Sequence, residues 1–563
     1  MRAAKEWYKS SAMRHPLVAL ALAAVSLPTR AFAQSAPPAP VTPLTDAPAP
    51  APSPPTPPPP ARAHGPVDVS TLQELRDRGI LSEPEYQLAL RDIGESTGTA
   101  HAEEAGSLVL GKWVTTIYGF LEGDSIYDST QSFTDLAGGT QVLRPSGQTA
   151  PPTATIPSQP SGGTQPVQPT QGYEGSHGQM LFGVRNSRLG LRLRTPGTEN
   201  VHVSGMLEMD FMGNQPSGVS QASYFTNPTM RLRHAMFRVE TPVVDVMVGQ
   251  YWHLFGFMES YLPNSTEIQG LPGELYARAP QVRVSKTIRA GASRLEIAIA
   301  AVRPPSGSEL PEGEAGIRYS LESWKGMHTA GATGTALVPA SIAISADYRH
   351  FEIPEVAAVL PTAMVHKSAA SVAADLLLPI LPAREGKHDN ALSLVAQAVY
   401  GNGIADLYSN NQTGVMFPFI PNTTGLQAYE AWPTNVDQGL VTYDLTTFAL
   451  HPIQWTSVLG GLEYYLPGLG GKVWISGNVS HVVSSNSSQY ARSNADIPNA
   501  LEYFFPASQS QVRHGEDWWD ANLFFDPINA VRVGLEFATF MDHYVDGYTA
   551  TNYRAQASGF FIF

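Results

Sequence analysis

From Trp113 onward, apolar and polar positions alternate along the chain with a period of two. The clearest examples are the stretches 519–526, 531–541 and 552–563. In the first of them, one face is formed by Trp519, Ala521, Leu523 and Phe525. Segments of about ten residues with one apolar and one polar face are typical of bilayer-spanning β-barrels. Because every backbone polar group must be paired within lipid, such a sheet has to close on itself.

Turn signals divide this part of the chain into about 16 antiparallel strands, an even number as in bacterial single-chain barrels. Short turns are predicted at 196–197, 241–242 and 466–468. Long polar loops are predicted at 131–179, 252–276, 402–452 and 485–515. A soluble β-sandwich also alternates apolar and polar positions. The long strands, the alternation of short and long connections and the terminal Phe563 favour an all-β transmembrane barrel, residues 110–563, whose width leaves an aqueous channel.

The first 33 residues predict a secretory signal peptide. Basic residues at positions 2, 5, 9 and 14 precede an apolar run at 17–27, and Ala31-Phe32-Ala33 supplies small residues for cleavage before Gln34. The run is too short for a membrane-spanning helix, which needs about 20 apolar residues. Export and a barrel together predict a cell outer membrane protein.

Residues 34–66 and 67–95 form two further predicted segments. The first is rich in Pro, Ala, Thr and Ser, a composition that favours an extended, semi-rigid spacer. In the second, capping and stop residues predict a short helical hairpin, which resembles the SHOCT type. We expect this N-terminal segment in the periplasm. It either trimerises or contacts peptidoglycan or another periplasmic partner, or it is a small plug with no special role.

Composition narrows the function classes. The chain has no cysteine, which excludes disulfides, thiol nucleophiles and thiolate metal sites. Its formal net charge of −14 argues against a nucleic-acid partner. No serine elbow or metal-ligand motif is present. The adjacent pairs His388-Asp389 and Asp542-His543 would point to opposite faces of a strand. We therefore expect no enzyme, no catalytic residue, no cofactor and no metal site.

Arginines are concentrated between Met180 and Ala290. This stretch carries 11 Lys or Arg against 8 Asp or Glu in a chain that is acidic overall. Alternation with lipid-facing leucines and valines turns a set of them towards the lumen: Arg188, Arg192, Arg194, Arg231, Arg233, Arg238 and Arg283. Arg185 and Arg278 are expected as their neighbours. Glu208 and Asp210 are expected on the same inward face as acidic counter-charges.

One break in the alternation predicts a backbone irregularity. Arg231 and Arg233 flank Leu232 and should both face inward, but this phase disagrees with an outward Phe237. One extra residue in a strand reverses the phase, so the pattern predicts a β-bulge near His234.

The cationic stripe leaves two interpretations open. A positive field in a channel admits anions, and guanidinium groups match carboxylates in a bidentate way. Alternatively, the arginines only balance carboxylates and keep the lumen solvated. The loop 252–276 has two interpretations as well: it folds inward and narrows the channel, or its aromatic residues belong to an interfacial girdle.

Several short segments, taken in order, resemble a known family. They include Tyr118-Gly119-Phe120-Leu121, Arg185-Asn186-Ser187-Arg188-Leu189-Gly190, Leu207-Glu208-Met209-Asp210-Phe211, Arg231-Leu232-Arg233-His234-Ala235, Gly249-Gln250-Tyr251-Trp252, Arg278-Ala279-Pro280-Gln281-Val282-Arg283 and Tyr400-Gly401-Asn402-Gly403-Ile404. This order is similar to that of the DcaP-like trimeric outer-membrane porins.

The resemblance implies a homotrimer of 16-stranded barrels that takes up small anionic organic molecules such as dicarboxylates. It also implies a constriction lined by Arg185, Arg188, Arg231, Arg233, Arg278 and Arg283. Porins of that family carry a coiled-coil segment before the barrel, whereas this chain has a Pro-rich spacer and a hairpin.

Two functions thus remain open. The first is a porin, surrounded by outer-membrane lipids and lipopolysaccharide, that passes small hydrophilic, anionic solutes by passive diffusion. The second is a structural or adhesive barrel that binds through its long extracellular loops, since polar loops are compatible with either role.

Overall fold

The computed structural model describes most of the chain from residue 107 to the C-terminus. The described residues are 107–110, 113–135, 141–145, 155–157, 164–166, 171–195, 200–213, 229–267, 270–305, 308–329, 335–355, 363–384, 387–409, 439–443, 447, 449–490 and 512–563. The predicted signal peptide, spacer and helical hairpin lie outside them. Within these ranges, no helix is both long enough and apolar enough to cross a membrane.

Sixteen strands of the described residues form one closed antiparallel barrel. Strands β1 to β5 are Trp113–Asp128, Gln179–Gly183 continued by Arg188–Arg194, His202–Asp210, Arg231–Glu240 and Asp245–Trp252. Strands β6 to β10 are Arg278–Ala290, Ser293–Val302, Glu312–His328, Ala336–Pro354 and Met364–Leu381. Strands β11 to β16 are Leu392–Asn402, Gln454–Tyr465, Val473–Ser484, Arg513–Ile528, Val531–Tyr544 and Thr549–Ile562.

Smaller elements accompany the barrel. The short strand Ser107–Leu110 pairs with the start of β1. Two small hairpins are formed by Thr155–Pro157 with Thr164–Pro166 and by Val441–Tyr443 with Leu450–Pro452. The described helical segments are Gln171–Glu174, Met258–Ser260, Ala405–Leu407 and Ser487–Tyr490.

The barrel closes between its first and last strands. β1 and β16 pair from Phe120 opposite Ile562 to Asp128 opposite Arg554. Phe563 and Gly119 then exchange two backbone hydrogen bonds of 2.9 and 3.0 Å. Each of the 16 barrel strands is thus paired on both sides, which is the condition for placing a sheet in lipid.

The outer face of the barrel is apolar and the inner face is largely polar. On the last three strands, Leu523, Leu535 and Tyr553 are 44, 50 and 50% exposed. Their neighbours Asn522, Glu536 and Asn552 are buried inside the barrel. The inside-outside phase predicted from the alternation is therefore confirmed. A continuous apolar outer face of this kind requires a lipid surrounding.

The two ends of the barrel differ in their connections. At one end, here called the loop end, the connections include the long segments 129–178, 253–277, 403–453 and 485–512. At the other, the turn end, several are short, such as 241–244, 291–292 and 529–530. This arrangement agrees with the predicted division into long loops and short turns.

Candidate functional site

The loop between β5 and β6, residues 253–277, folds into the barrel and is here called the inward loop. Its first residues are fixed to the wall formed by β8 and β9. The backbone N–H groups of Leu254 and Phe255 donate to Glu314 Oε2 at 2.7 and 3.3 Å, and Gly256 N–H donates to Ser345 Oγ at 2.9 Å. The sequence left two interpretations open for this loop, and the structure supports the one in which it folds into the barrel.

The middle of the inward loop is bound to the opposite wall. Thr266 N–H donates to Asn522 on β14 and to Glu536 on β15, both at 2.9 Å. The Glu267 carboxylate forms a 2.7 Å ion pair with Arg554 on β16. Because these anchors lie on the far side from Glu314, the loop crosses the interior and narrows it.

The loop leaves one part of the inner wall accessible. Inward side chains on β9 to β16 at its level, such as Asp375 and Asn478, are buried. On β2 to β6 some inward residues are buried as well, but Arg192 and Arg194 are exposed and Arg238 is half-buried. The accessible part of the inner wall on these strands therefore carries arginine side chains.

The predicted β-bulge is present. The register between β3 and β4 shifts between Glu208 and Met209, which pair with His234 and Leu232 and leave Arg233 as the extra residue. Leu232 is 48% exposed, whereas Arg233 and His234 are both buried. The bulge thus turns two consecutive side chains inward, which alternation alone does not allow.

The bulge places arginines against the two predicted acidic residues. Arg233 lies 2.6 Å from Glu208 and 3.2 Å from Asp210, and Arg231 lies 2.6 Å from Asp210. Arg188 is 3.6 Å from Glu208. We call these five residues the paired cluster. Within it, carboxylates neutralise much of the positive charge, so it contributes less to a cationic field than the sequence suggested.

Arg185 and Arg278 lie at the margin of this region. Arg185 is buried and pairs with Asp135, its Nε donating to Asp135 Oδ2 at 2.7 Å. The Arg278 guanidinium lies over the rings of Trp252 and Tyr276, at 4.8 and 5.4 Å from their centroids. Arg185 is therefore charge-balanced inside the wall, and Arg278 is held by aromatic rings.

Replacement of Arg233 by Met is expected to lower the free energy of unfolding by about 3 kcal/mol, because it removes a buried cation that lies 2.6 Å from Glu208 and 3.2 Å from Asp210. Of its arginine partners, Glu208 would keep only the more distant Arg188, and Asp210 would keep only Arg231. Urea denaturation of the barrel in lipid vesicles measures this change. Arg231→Met is the matched control: its side chain is 35% exposed, so the expected loss is smaller. An equal loss in both variants would contradict the role given to Arg233.

A second set of arginines forms no close ion pair of this kind. The register runs from Arg194 through Ser204 to Arg238, and from Arg238 through Met247 to Arg283. These three arginines therefore stand at one level on alternate strands, β2, β4 and β6. Adjacent strands are about 4.8 Å apart, so successive members are about 10 Å apart. We call them the arginine row.

The row is not ion-paired. Among the described residues, no carboxylate lies within ion-pair distance of Arg194, Arg238 or Arg283; Arg283 instead donates to Gln281 and to the carbonyl of Trp252 at 3.1 and 2.6 Å. Arg192, next to the row, lies over the ring of Tyr118 at 4.3 Å from its centroid. The Arg192 side chain is thus exposed on the inner wall.

Sequence reasoning missed the acidic side chains that face this row. Glu259 on the inward loop interacts electrostatically with Arg238, Arg283 and Arg318. Glu296 on β7 forms a 2.6 Å ion pair with Arg318 on β8. The inward position of Glu296 could have been predicted from the alternation along β7. The position of Glu259 could not, because it depends on how the inward loop folds.

Fold and site together define a membrane-spanning β-barrel with a loop-narrowed, arginine-lined interior. No protein-family model matches the chain, and no curated protein matches its sequence.

Solved structures of outer-membrane channels are similar to it. The outer membrane channel DcaP of Acinetobacter baumannii has a TM-score of 0.49 and 16% identity, covering 83% of this chain and 100% of that one. An anion-selective porin from Comamonas acidovorans has a TM-score of 0.41 and 8% identity, covering 80 and 100%. OmpT, an outer membrane protein of Vibrio cholerae, has a TM-score of 0.38 and 9% identity, covering 82 and 100%. The fold itself rests on the strand pairing described above.

Proposed function

We propose that the protein is an outer-membrane porin whose water-filled channel passes small hydrophilic, anionic solutes of dicarboxylate type by passive diffusion. The observation that carries this proposal is the arginine row, Arg194, Arg238 and Arg283, on the accessible side of the narrowed interior. Its positive field raises the local concentration of anions and lowers that of cations.

The spacing of the row favours solutes with two negative groups. Guanidinium groups bind carboxylates in a planar, bidentate way. Members of the row stand about 10 Å apart, so a short dicarboxylate can be shared between neighbours during passage. The exposure of Arg192 and Arg194 keeps each contact weak, as conduction requires that a solute leave as readily as it enters.

Replacing Arg192 and Arg238 together by Ala is expected to reduce anion preference, because both guanidinium groups lie on the accessible wall without a carboxylate partner. The reversal potential in a planar bilayer under a KCl gradient measures this preference. We expect the reversal potential to shift in the direction of cation selectivity, so that a large part of the wild-type anion preference is lost.

A matched control is Lys472→Ala, which removes one positive charge at the turn end, where its ammonium group donates to the carbonyl of Pro527 at 3.2 Å. We expect the reversal potential of this variant to stay at the wild-type value. Cation preference in the wild type, or no shift in the double variant, would contradict the proposed selectivity. Absence of a stable ohmic conductance would contradict the porin itself.

We also propose a homotrimer that packs through the side of the barrel with the shortest strands, with lipid and lipopolysaccharide around the rest. On this side, strands β3, β4 and β5 have 9, 10 and 8 residues, whereas β9 and β10 have 19 and 18. Phe237, on β4, is 48% exposed. The predicted N-terminal hairpin would then lie in the periplasm, where it can contact peptidoglycan. Light scattering of the detergent-solubilised protein measures the subunit number.

A further inference from the structure

Three side chains with metal-binding atoms meet on the outer face of the barrel, near the loop end. His350 and Glu352 belong to β9, and His366 belongs to β10. The register places Glu352 directly opposite His366. Since Arg349 and Phe351 are buried inside the barrel, alternation turns His350 and Glu352 outward. We call the three residues the outer triad.

The donor atoms of the outer triad are at nearly the separation that a metal ion imposes. His350 Nε2 lies 3.5 Å from Glu352 Oε1, and His366 Nδ1 lies 3.9 Å from the same oxygen. One donor atom from each residue lies within 4.8 Å of the others. Tetrahedral zinc with bonds of about 2.0–2.1 Å holds its ligand atoms about 3.3–3.4 Å apart. Small side-chain rotations therefore bring all three onto one ion.

A second layer of hydrogen bonds orients one of the ligands. His350 Nδ1 lies 3.0 Å from Ser368 Oγ, and Tyr348 OH donates to the same hydroxyl at 2.8 Å. Histidine ligands of metals commonly use their second ring nitrogen in this way. When Nδ1 donates its hydrogen, Nε2 directs a lone pair at the Glu352 carboxylate, and a cation between them relieves the repulsion.

The triad lies where a cation can reach it. Below it on the outer face of β9, Ile344 and Tyr348 are 52 and 48% exposed and belong to the apolar band. The side chains of His350 and Glu352 are 18 and 10% exposed, while that of His366 is 55% exposed. The site is thus partly preformed, and its exposed side leaves a fourth coordination position open.

We propose that His350, Glu352 and His366 bind one divalent transition-metal ion of the zinc type, with water in the fourth position. Two imidazoles and a carboxylate are a donor set that suits Zn²⁺. No metal-binding motif is visible in the sequence, because the ligands lie on two paired strands and not in one compact segment. Bound metal would join β9 to β10 above the apolar band.

A second histidine–carboxylate group on the outer face shows what a similar cluster without a vacant position looks like. Asp517 on β14 has His481 Nδ1 at 2.6 Å from one carboxylate oxygen and His543 Nε2 at 2.8 Å from the other. Each oxygen already has its own histidine at hydrogen-bond distance, so the three groups form two separate pairs. His543→Gln is therefore a matched control for loss of an outward histidine.

The test uses the full chain in detergent, stripped with EDTA and dialysed, and titrates it with ZnCl₂ by isothermal calorimetry. We expect one high-affinity equivalent in the wild type. Glu352→Gln and His366→Gln should each weaken it at least about tenfold, and Tyr348→Phe should weaken it up to about tenfold through the lost second-layer contact. His543→Gln should leave it unchanged.

Cobalt substitution supplies a second readout, since Co²⁺ in a tetrahedral site of nitrogen and oxygen ligands absorbs visible light more strongly than the hexaaquo ion. Retention of the heat-resistant folded band on gels shows that each variant still forms the barrel. Absence of a stoichiometric equivalent in the wild type, or equal affinity in Glu352→Gln, would overturn the proposal. So would an equal loss in His543→Gln, since the binding would then be a general property of surface histidines.

Discussion

Replacement of residues 258–272 by a short Gly-Ser linker is expected to raise single-channel conductance several-fold. This segment carries Thr266 and Glu267, which bind the wall of β14 to β16, and it includes the part of the loop that crosses the interior. A 16-stranded barrel without such a loop has a wide aqueous lumen. The flanking residues 253–257 stay in place and keep their contacts with Glu314 and Ser345.

The same variant should also lose selectivity. In a wider lumen, more solution separates a permeating ion from Arg238 and Arg283, and salt screens charges beyond about 8–10 Å. A matched control is a deletion of 306–309 in the loop between β7 and β8, whose residue Leu310 is 50% exposed. We expect that deletion to leave conductance unchanged. Equal conductance in the wild type and the 258–272 variant would show that the inward loop does not limit the flow.

The barrel could be predicted from the sequence because the two faces of a transmembrane strand have different surroundings and therefore need different side chains. The outward Leu535 meets lipid and the inward Glu536 does not, so the alternation is nearly strict in the last strands. The bulge at Arg233 was predictable for the same reason, since an added residue leaves a visible break in the phase. The alternation of apolar and polar residues was therefore sufficient to predict features that depend on one strand alone.

The charge balance of the interior could not be predicted in this way. Alternation turns Arg233, Glu208 and Asp210 to the same inward face, but it does not show which arginine meets which carboxylate. The bulge decides that pairing, and Asp135 reaches Arg185 only through loop folding. Arg194 and Arg238 look the same in sequence and remain without carboxylate partners. The outer triad was missed because strand register, which the sequence marks weakly, decides which side chains meet.

Conductance is expected to depend on pH through the inward loop, and Glu274 is the group best placed to cause this. Its side chain is buried, and its Oε2 accepts a hydrogen bond from Leu271 N–H at 2.9 Å. Burial raises the pKa of Glu274 to about 8, only partly offset by that hydrogen bond. The docked loop thus binds the proton more tightly than an undocked, hydrated loop, in which the ordinary pKa is about 4.5.

The direction follows from linkage. Below about pH 4.5 the carboxyl is protonated in both states, and the docked loop has its full stability. As pH rises towards 8, ionisation of Glu274 stabilises the undocked loop. The free energy of docking therefore becomes less favourable, and it no longer changes once the pH is above the pKa of Glu274 in the docked loop. We therefore expect conductance, or the frequency of high-conductance openings, to rise between pH 5 and pH 9 in planar bilayers.

Glu274→Gln isolates this effect, because an amide keeps the size and the acceptor oxygen of the protonated acid but cannot ionise. We expect this variant to keep the low-pH conductance up to pH 9. Glu309→Gln, at an exposed position in the loop between β7 and β8, should keep the wild-type pH dependence. Burial also raises the pKa of Glu267, to about 7, against the lowering effect of Arg554. A small remaining slope in Glu274→Gln would therefore point to Glu267, whereas a fully unchanged slope would exclude Glu274 as the group that controls docking.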